Sequence, residues 1–143
     1  MPPPAPEPVF RLPVRVYWED TDAGGIVFYA NYLKFFERAR TEWLRALGHG
    51  QERLRAEDGI GFVVSETAVR YLRPARLDDL LEVTVAIERA AQASLGLVQQ
   101  ARRLPEGGGA AELLAEGTIR IGCVDLGTYR PVRIPNDILQ TIR

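Results

Sequence analysis

The stretch from residue 10 to residue 48, FRLPVRVYWEDTDAGGIVFYANYLKFFERARTEWLRALG, changes its apolar period midway. Phe10, Leu12, Val14, Val16 and Trp18 alternate with Arg11, Pro13, Arg15 and Tyr17, the period of two that a half-buried strand requires. Pro13 has no backbone N–H to give to a neighbouring strand, which favours a sheet edge. After the polar turn EDTDAGG, Tyr32, Phe36, Ala39, Trp43 and Leu47 recur at steps of four, three, four and four, with Phe35 widening the stripe. Lys34, Glu37, Arg38, Thr41, Glu42 and Arg45 fall mostly off it, so the segment is an amphipathic helix, with Asn31 expected as its N-cap and Gly48 as its stop.

Downstream, QERLRAED has room for another helical turn before Gly59 and Gly61. The period then returns to two. Val63, Ser65, Thr67, Val69 and Tyr71 are expected to share one strand face, and Leu81, Val83, Val85 and Ile87 a face of the next. Leu95, Leu97 and Gln99 predict a third strand, and the alternation from Leu113 to Cys123 a fourth. The links RPARLDD, ERAAQ and PEGGG are turn-like, and IPNDILQTIR ends the chain as a short helix or tail. With no helix between these four strands, parallel crossovers are excluded and an antiparallel meander is expected. The class is α+β: about five strands packed on one long helix. One helix cannot cover that much apolar strand surface, so a second subunit is expected, and an exposed first or last strand would be the edge through which copies pair. Residues 1–9, proline-rich, read as an extended lead-in, and 10–143 as one domain.

Composition narrows the chemistry. The chain has 143 residues, 46% hydrophobic and 26% charged, with 18 basic and 19 acidic residues and a net charge of −1, so no global field draws it to nucleic acid or an anionic membrane. No apolar run approaches the ~18 residues needed to span a bilayer. The start lacks the basic-then-apolar order of a secretion signal, and the lone Cys123 forms no intrachain disulfide, so a reducing, cytoplasmic setting is expected. The two serines, Ser65 and Ser94, lie outside any G-x-S-x-G elbow, and the single histidine, His49, follows the helix in Gly-His-Gly. Cys123 reads as a small apolar residue on a strand face rather than as the partner of His49. A metal site would have to be built almost wholly of carboxylates, and no phosphate-loop or dinucleotide fingerprint occurs, so no metal or other cofactor is expected. Carboxylate chemistry remains.

Residues 19–43 carry the candidates. Asp20 and Asp22 precede Gly24 and Gly25, which allow close backbone approach and positive φ, and an aromatic-rich helix entry follows. A first helical turn exposes unpaired N–H groups at the positive end of the helix dipole, suited to stabilising an oxyanion. A carboxylate beside such donors can attack a carbonyl held there, or activate water to do so. The same segment also reads as a plain strand-to-helix turn.

PVRVYWEDTDAGGIVFYANYLKFFERARTEWL (13–44), VRYLRPARLDDLLEV (69–83) and IGCVD (121–125) together resemble the 4-hydroxybenzoyl-CoA thioesterase family, in its YbgC-type branch, which is associated with the bacterial Tol-Pal envelope system. The resemblance runs from about Arg11 to Asp125. It implies a hot-dog fold, an antiparallel sheet wrapped around one long helix, and hydrolysis of acyl-CoA to free acid and CoA. It implies Asp22 as the catalytic carboxylate and the backbone N–H of Tyr29 as the oxyanion donor, with Gly25, Val27 and Phe28 seating the substrate. Many YbgC-type members carry His where this chain has Tyr29, so a side-chain acid at that position is not carried over. A homodimer or homotetramer is implied, with acyl carrier protein or Tol-Pal-related partners. Glu37 is a rival base, because other hot-dog thioesterases use a helical glutamate, but i,i+3 and i,i+4 pairing in Glu-Arg-Ala-Arg also explains it. Arg70, Arg73 and Arg76 fit CoA phosphates or solvent equally well. The alternative is a non-catalytic acyl-binding or scaffold protein on the same fold; a hot-dog dehydratase would be expected to pair a His with its acid.

Overall fold

The computed structural model describes residues 4–142. Residues 1–3, the start of the expected lead-in, lie outside the described residues. Five strands, β1 (Phe10–Arg15), β2 (Ile60–Tyr71), β3 (Leu80–Ala90), β4 (Ser94–Arg103) and β5 (Glu112–Asp125), form one antiparallel sheet in the order β1-β3-β4-β5-β2. The long helix α1 (Asn31–Ala46) packs on its inner face, followed by a single turn α2 (Gln51–Arg53), a π-turn over 54–58 and a terminal helix α3 (Asn136–Ile142).

Only β3, β4 and β5 form the expected meander; β2 pairs with β5 rather than with β3 and becomes the second edge. The link from Leu72 to Asp79 makes this crossing. Eight residues reach ~26 Å when extended, against ~14 Å for three strand spacings, so a short link suffices. It is tied down along its whole course: the Leu72 and Arg73 N–H groups donate to the Leu114 carbonyl, Val27 N–H to the Ala75 carbonyl, and Val16 and Asp78 exchange bonds with Asp79 and Val16. Arg103 adds ion pairs to Asp79 and Glu112, both at 2.9 Å.

A bulge between Val64 and Glu66 overturns the expected single face for β2. Val64 opposes Ile121 and Thr67 opposes Ile119, so Phe62 and Val64 share the inner face with Thr67, Val69 and Tyr71, while Val63 belongs to the outer face. Phe35, Phe36 and Leu44 are fully buried from α1, at ~1.5–3 kcal/mol each in apolar burial. Leu44 fills the place expected of Leu47, which is only partly buried. The helix comes close because β5 has Gly117 beneath it: a Cβ there would stand 3.0 Å from the Phe36 ring.

Candidate active site

Between β1 and α1 the chain makes a compact turn. Thr21 bridges Val27, the Asp22 N–H donates to the Ile26 carbonyl, and the Gly25 N–H donates back to the Asp22 carbonyl. Gly25 has φ +78°, in the left-handed region that glycine enters without a Cβ penalty. The turn is fastened to the helix by Asp20, which is buried. Its Oδ1 accepts from the Asn31 side-chain amide at 2.9 Å, its Oδ2 from the Tyr17 N–H at 2.8 Å, and its carbonyl from the Phe28 N–H.

Asn31 therefore lies inside the first turn of α1 instead of capping it. Ala30 occupies the cap position and no side chain caps the helix. Among the described residues the Tyr29 and Ala30 N–H groups donate to no acceptor, leaving two donors at the positive helix end. The Tyr29 carbonyl accepts the Tyr71 hydroxyl at 2.9 Å, which fixes this peptide from β2.

Asp22 is exposed, one carboxylate oxygen accepting the Gly24 N–H at 2.8 Å. It lines a cleft of about 450 Å³ with Trp18, Thr21, Gly25 and Leu77. Tyr29 lines a second cleft of about 240 Å³ with Val27, Tyr32, Tyr71 and Leu72. The Gly25–Val27 segment separates the two, so within one chain Asp22 meets Gly25, and Tyr29 meets Val27. Phe28 lines neither cleft; half exposed, it packs against the Tyr29 ring at 4.9 Å. Trp18, Leu77 and Tyr71 are wall residues that the sequence reading did not single out as site residues. Their signal was present in the strand end at Trp18 and in the 69–83 block.

The rival groups have other partners. Glu37 accepts the Thr41 hydroxyl at 2.6 Å on the exposed side of α1. His49 is hydrogen-bonded to Thr141 at 2.9 Å, and Cys123 faces the core, where burial pushes its thiol up. Arg73 pairs with Glu112 at 3.2 Å, whereas the Arg70 and Arg76 guanidinium groups have no protein partner among the described residues.

The family described as the thioesterase-like superfamily matches residues 16–142. "Acyl-CoA thioesterase YbgC" of Haemophilus influenzae is 43% identical over 129 residues, 90% of each chain. "Acyl-CoA thioester hydrolase YbgC" of Escherichia coli O6:H1 is 43% identical over 131 residues, 92% of this chain and 93% of its own. In fold, the chain superposes with a TM-score of 0.85 on a 4-hydroxybenzoyl-CoA thioesterase variant solved with 4-hydroxybenzoyl-CoA, covering 93% of this chain and 97% of that one at 20% identity. The five-stranded sheet around α1 is the hot-dog fold, and the chain belongs to the thioesterase-like superfamily, in its YbgC group.

Proposed function

We propose that this protein hydrolyses acyl-CoA thioesters, with Asp22 as the reacting carboxylate and the Tyr29 N–H as oxyanion donor. The observation that carries the proposal is the uncapped start of α1: two free N–H groups on a segment that Asp20 clamps to the Asp22 turn. A buried or capped helix start would have its donors used up; this one is open to a ligand oxygen.

The thioester carbonyl oxygen would sit against those donors, each worth ~3 kcal/mol once the oxygen carries charge in the transition state. Asp22 then either attacks the carbonyl carbon, giving a mixed anhydride that water cleaves, or takes a proton from an attacking water. The bond to sulfur breaks in either path, and a thiol with a pKa near ~8.5 leaves readily as thiolate. Because Asp22 and Tyr29 line different clefts of one chain, the pocket would be completed between two copies, the Asp22 turn of one lying near strand residues of the other. Thioesters of CoA or of acyl carrier protein present the same carbonyl to this site, and a Tol-Pal-related partner would approach from outside it.

The test is thiol release from aromatic, short-chain and long-chain acyl-CoAs, run on the wild type and on Asp22→Asn in parallel. Turnover of at least one class, lost in Asp22→Asn, is the expected result. No turnover of any class, or an undiminished variant, would overturn the assignment.

A further inference from the structure

The two free N–H groups at the start of α1 belong to peptides whose carbonyls are held in different ways. Tyr29 and Ala30 are the central residues of a turn closed by the Asn31 N–H on the Phe28 carbonyl at 2.8 Å. The Tyr29 N–H shares its peptide with that Phe28 carbonyl, so a local bond fixes it. The Ala30 N–H shares its peptide with the Tyr29 carbonyl, which accepts the Tyr71 hydroxyl from β2 at 2.9 Å. A continuous helix would send the Leu33 N–H to the Tyr29 carbonyl, but Leu33 donates to the Ala30 carbonyl instead, at 3.2 Å. Tyr71 therefore takes the place of a missing helical bond. Without it the 29–30 peptide would be free to tilt, and because a peptide turns as one plane, the Ala30 N–H would tilt with its carbonyl.

The sheet sets Tyr71 in place for this bond. It ends β2 opposite Ala115 of β5, and its ring stands edge-on to Tyr29 at 6.2 Å and to Tyr32 at 5.5 Å. Tyr32 is in turn held by the Ala75 N–H on its hydroxyl, so both ring neighbours are anchored. Partial burial, with the Tyr29 phenol adding to it, pushes the Tyr71 phenol above its ordinary value of 10.0, which keeps it a protonated donor in neutral solution. A donor on a peptide carbonyl draws charge through the peptide and strengthens the N–H at its other end, by about 10–30% per bond. An oxyanion has lone pairs for more than one donor. We propose that the Ala30 N–H is a second oxyanion donor beside that of Tyr29, and that Tyr71 is the positioning residue that aims and polarises it. This rests on the reading of the helix start as the oxyanion site; the Tyr71 hydroxyl acts through the 29–30 peptide and not on the substrate.

Tyr71→Phe keeps both ring contacts and removes only the hydroxyl, and circular dichroism certifies that the variant folds. Loss of a whole oxyanion donor costs about 10²–10³ in kcat; here the donor stays but is no longer aimed, so kcat should fall roughly tenfold at unchanged KM. The second readout is the infrared carbonyl stretch of an acyl-CoA from the class the wild type hydrolyses, isotope-labelled at its carbonyl carbon and bound to Asp22→Asn, which holds it without turnover. Hydrogen bonds to that carbonyl should lower its frequency on binding, and the lowering should be smaller in Asp22→Asn/Tyr71→Phe. An undiminished kcat in Tyr71→Phe would overturn the proposal, as would a raised KM at unchanged kcat, which would make Tyr71 a wall of the pocket only. Equal lowering in the two Asp22→Asn proteins would also overturn it while leaving the oxyanion site standing. A carbonyl frequency that does not move on binding to Asp22→Asn would remove the oxyanion site itself, and the proposal with it.

Discussion

Asp20 is buried at 3% exposure and holds the Tyr17 N–H and the Asn31 amide, whereas Asp22, two residues on, is exposed with only the Gly24 N–H on one oxygen. Burial and partners thus divide a structural carboxylate from a free one. Asp22→Asn preserves shape and removes charge, so kcat should fall roughly a thousandfold while the unfolding midpoint barely moves. Asp20→Ala orphans two donors, a loss of about 1–3 kcal/mol for each one left buried, and urea unfolding should record it as a clear drop in stability. An unchanged midpoint in Asp20→Ala would mean that the clamp is dispensable. Local pattern placed both aspartates in the turn and only the family resemblance singled out Asp22 and left Asp20 a structural role, because what separates the two physically is the Asn31 amide reaching back eleven residues in sequence. The same contact removes Asn31 from the cap position: its side chain is committed to Asp20, and the helix start is left open.

At the scale of elements, the turn and the crossing link hold each other. The Leu77 N–H donates to the Gly25 carbonyl and Ile26 bridges Arg76, so the residues flanking Asp22 are supported from the 72–79 link. Gly25→Ala meets no atom within 4 Å, so its cost is conformational alone: about 1 kcal/mol for a left-handed alanine, read as a modest fall in melting temperature. A rise in melting temperature would show that the turn relaxes without loss. Tyr32 joins α1 to the same link, its hydroxyl accepting the Ala75 N–H at 3.2 Å. Burial pushes its phenol above the ordinary value of 10.0, so the folded state holds that proton more tightly than the unfolded chain does. The associated stability is complete below about pH 10 and is lost as pH rises through and beyond that value. Urea unfolding from pH 8 to pH 11 should therefore fall more steeply for the wild type than for Tyr32→Phe; parallel slopes would refute it. Periodicity made α1 and five strands legible, since a period of two or 3.6 depends only on which face is buried. It missed the bulge at Ser65, which shifts the face by one residue, and it missed the place of β2, because strand neighbours are chosen by long-range pairing that leaves no local pattern.

For the whole molecule, the decisive feature is which strands stand at the edges. The sequence reading named the first or last strand; β1 is indeed an edge, but β5 is interior and β2 takes the other. The two edges are unequal. β1 has six residues, with Pro13 among them, and both features discourage further pairing. β2 has twelve, with neither proline nor lysine, and leaves Val63, Val64 and Tyr71 40–48% exposed. An edge of this length is a template for another strand, and two β2 strands related by a two-fold axis would continue the sheet from one copy into the next. The same end of the molecule exposes Phe28, Tyr29 and Leu72 around the Tyr29 cleft, so a partner laid along β2 would cover apolar surface beside the site. Val63→Lys places a solvated charge on the outer face of that edge, where it opposes pairing but leaves the interior of the subunit intact. Sedimentation equilibrium and thiol release measured on one dilution series should find the wild type active as a dimer or larger, with Val63→Lys shifted toward the 16.0 kDa monomer and losing turnover in proportion. A fully active monomer would show that one chain completes the pocket alone.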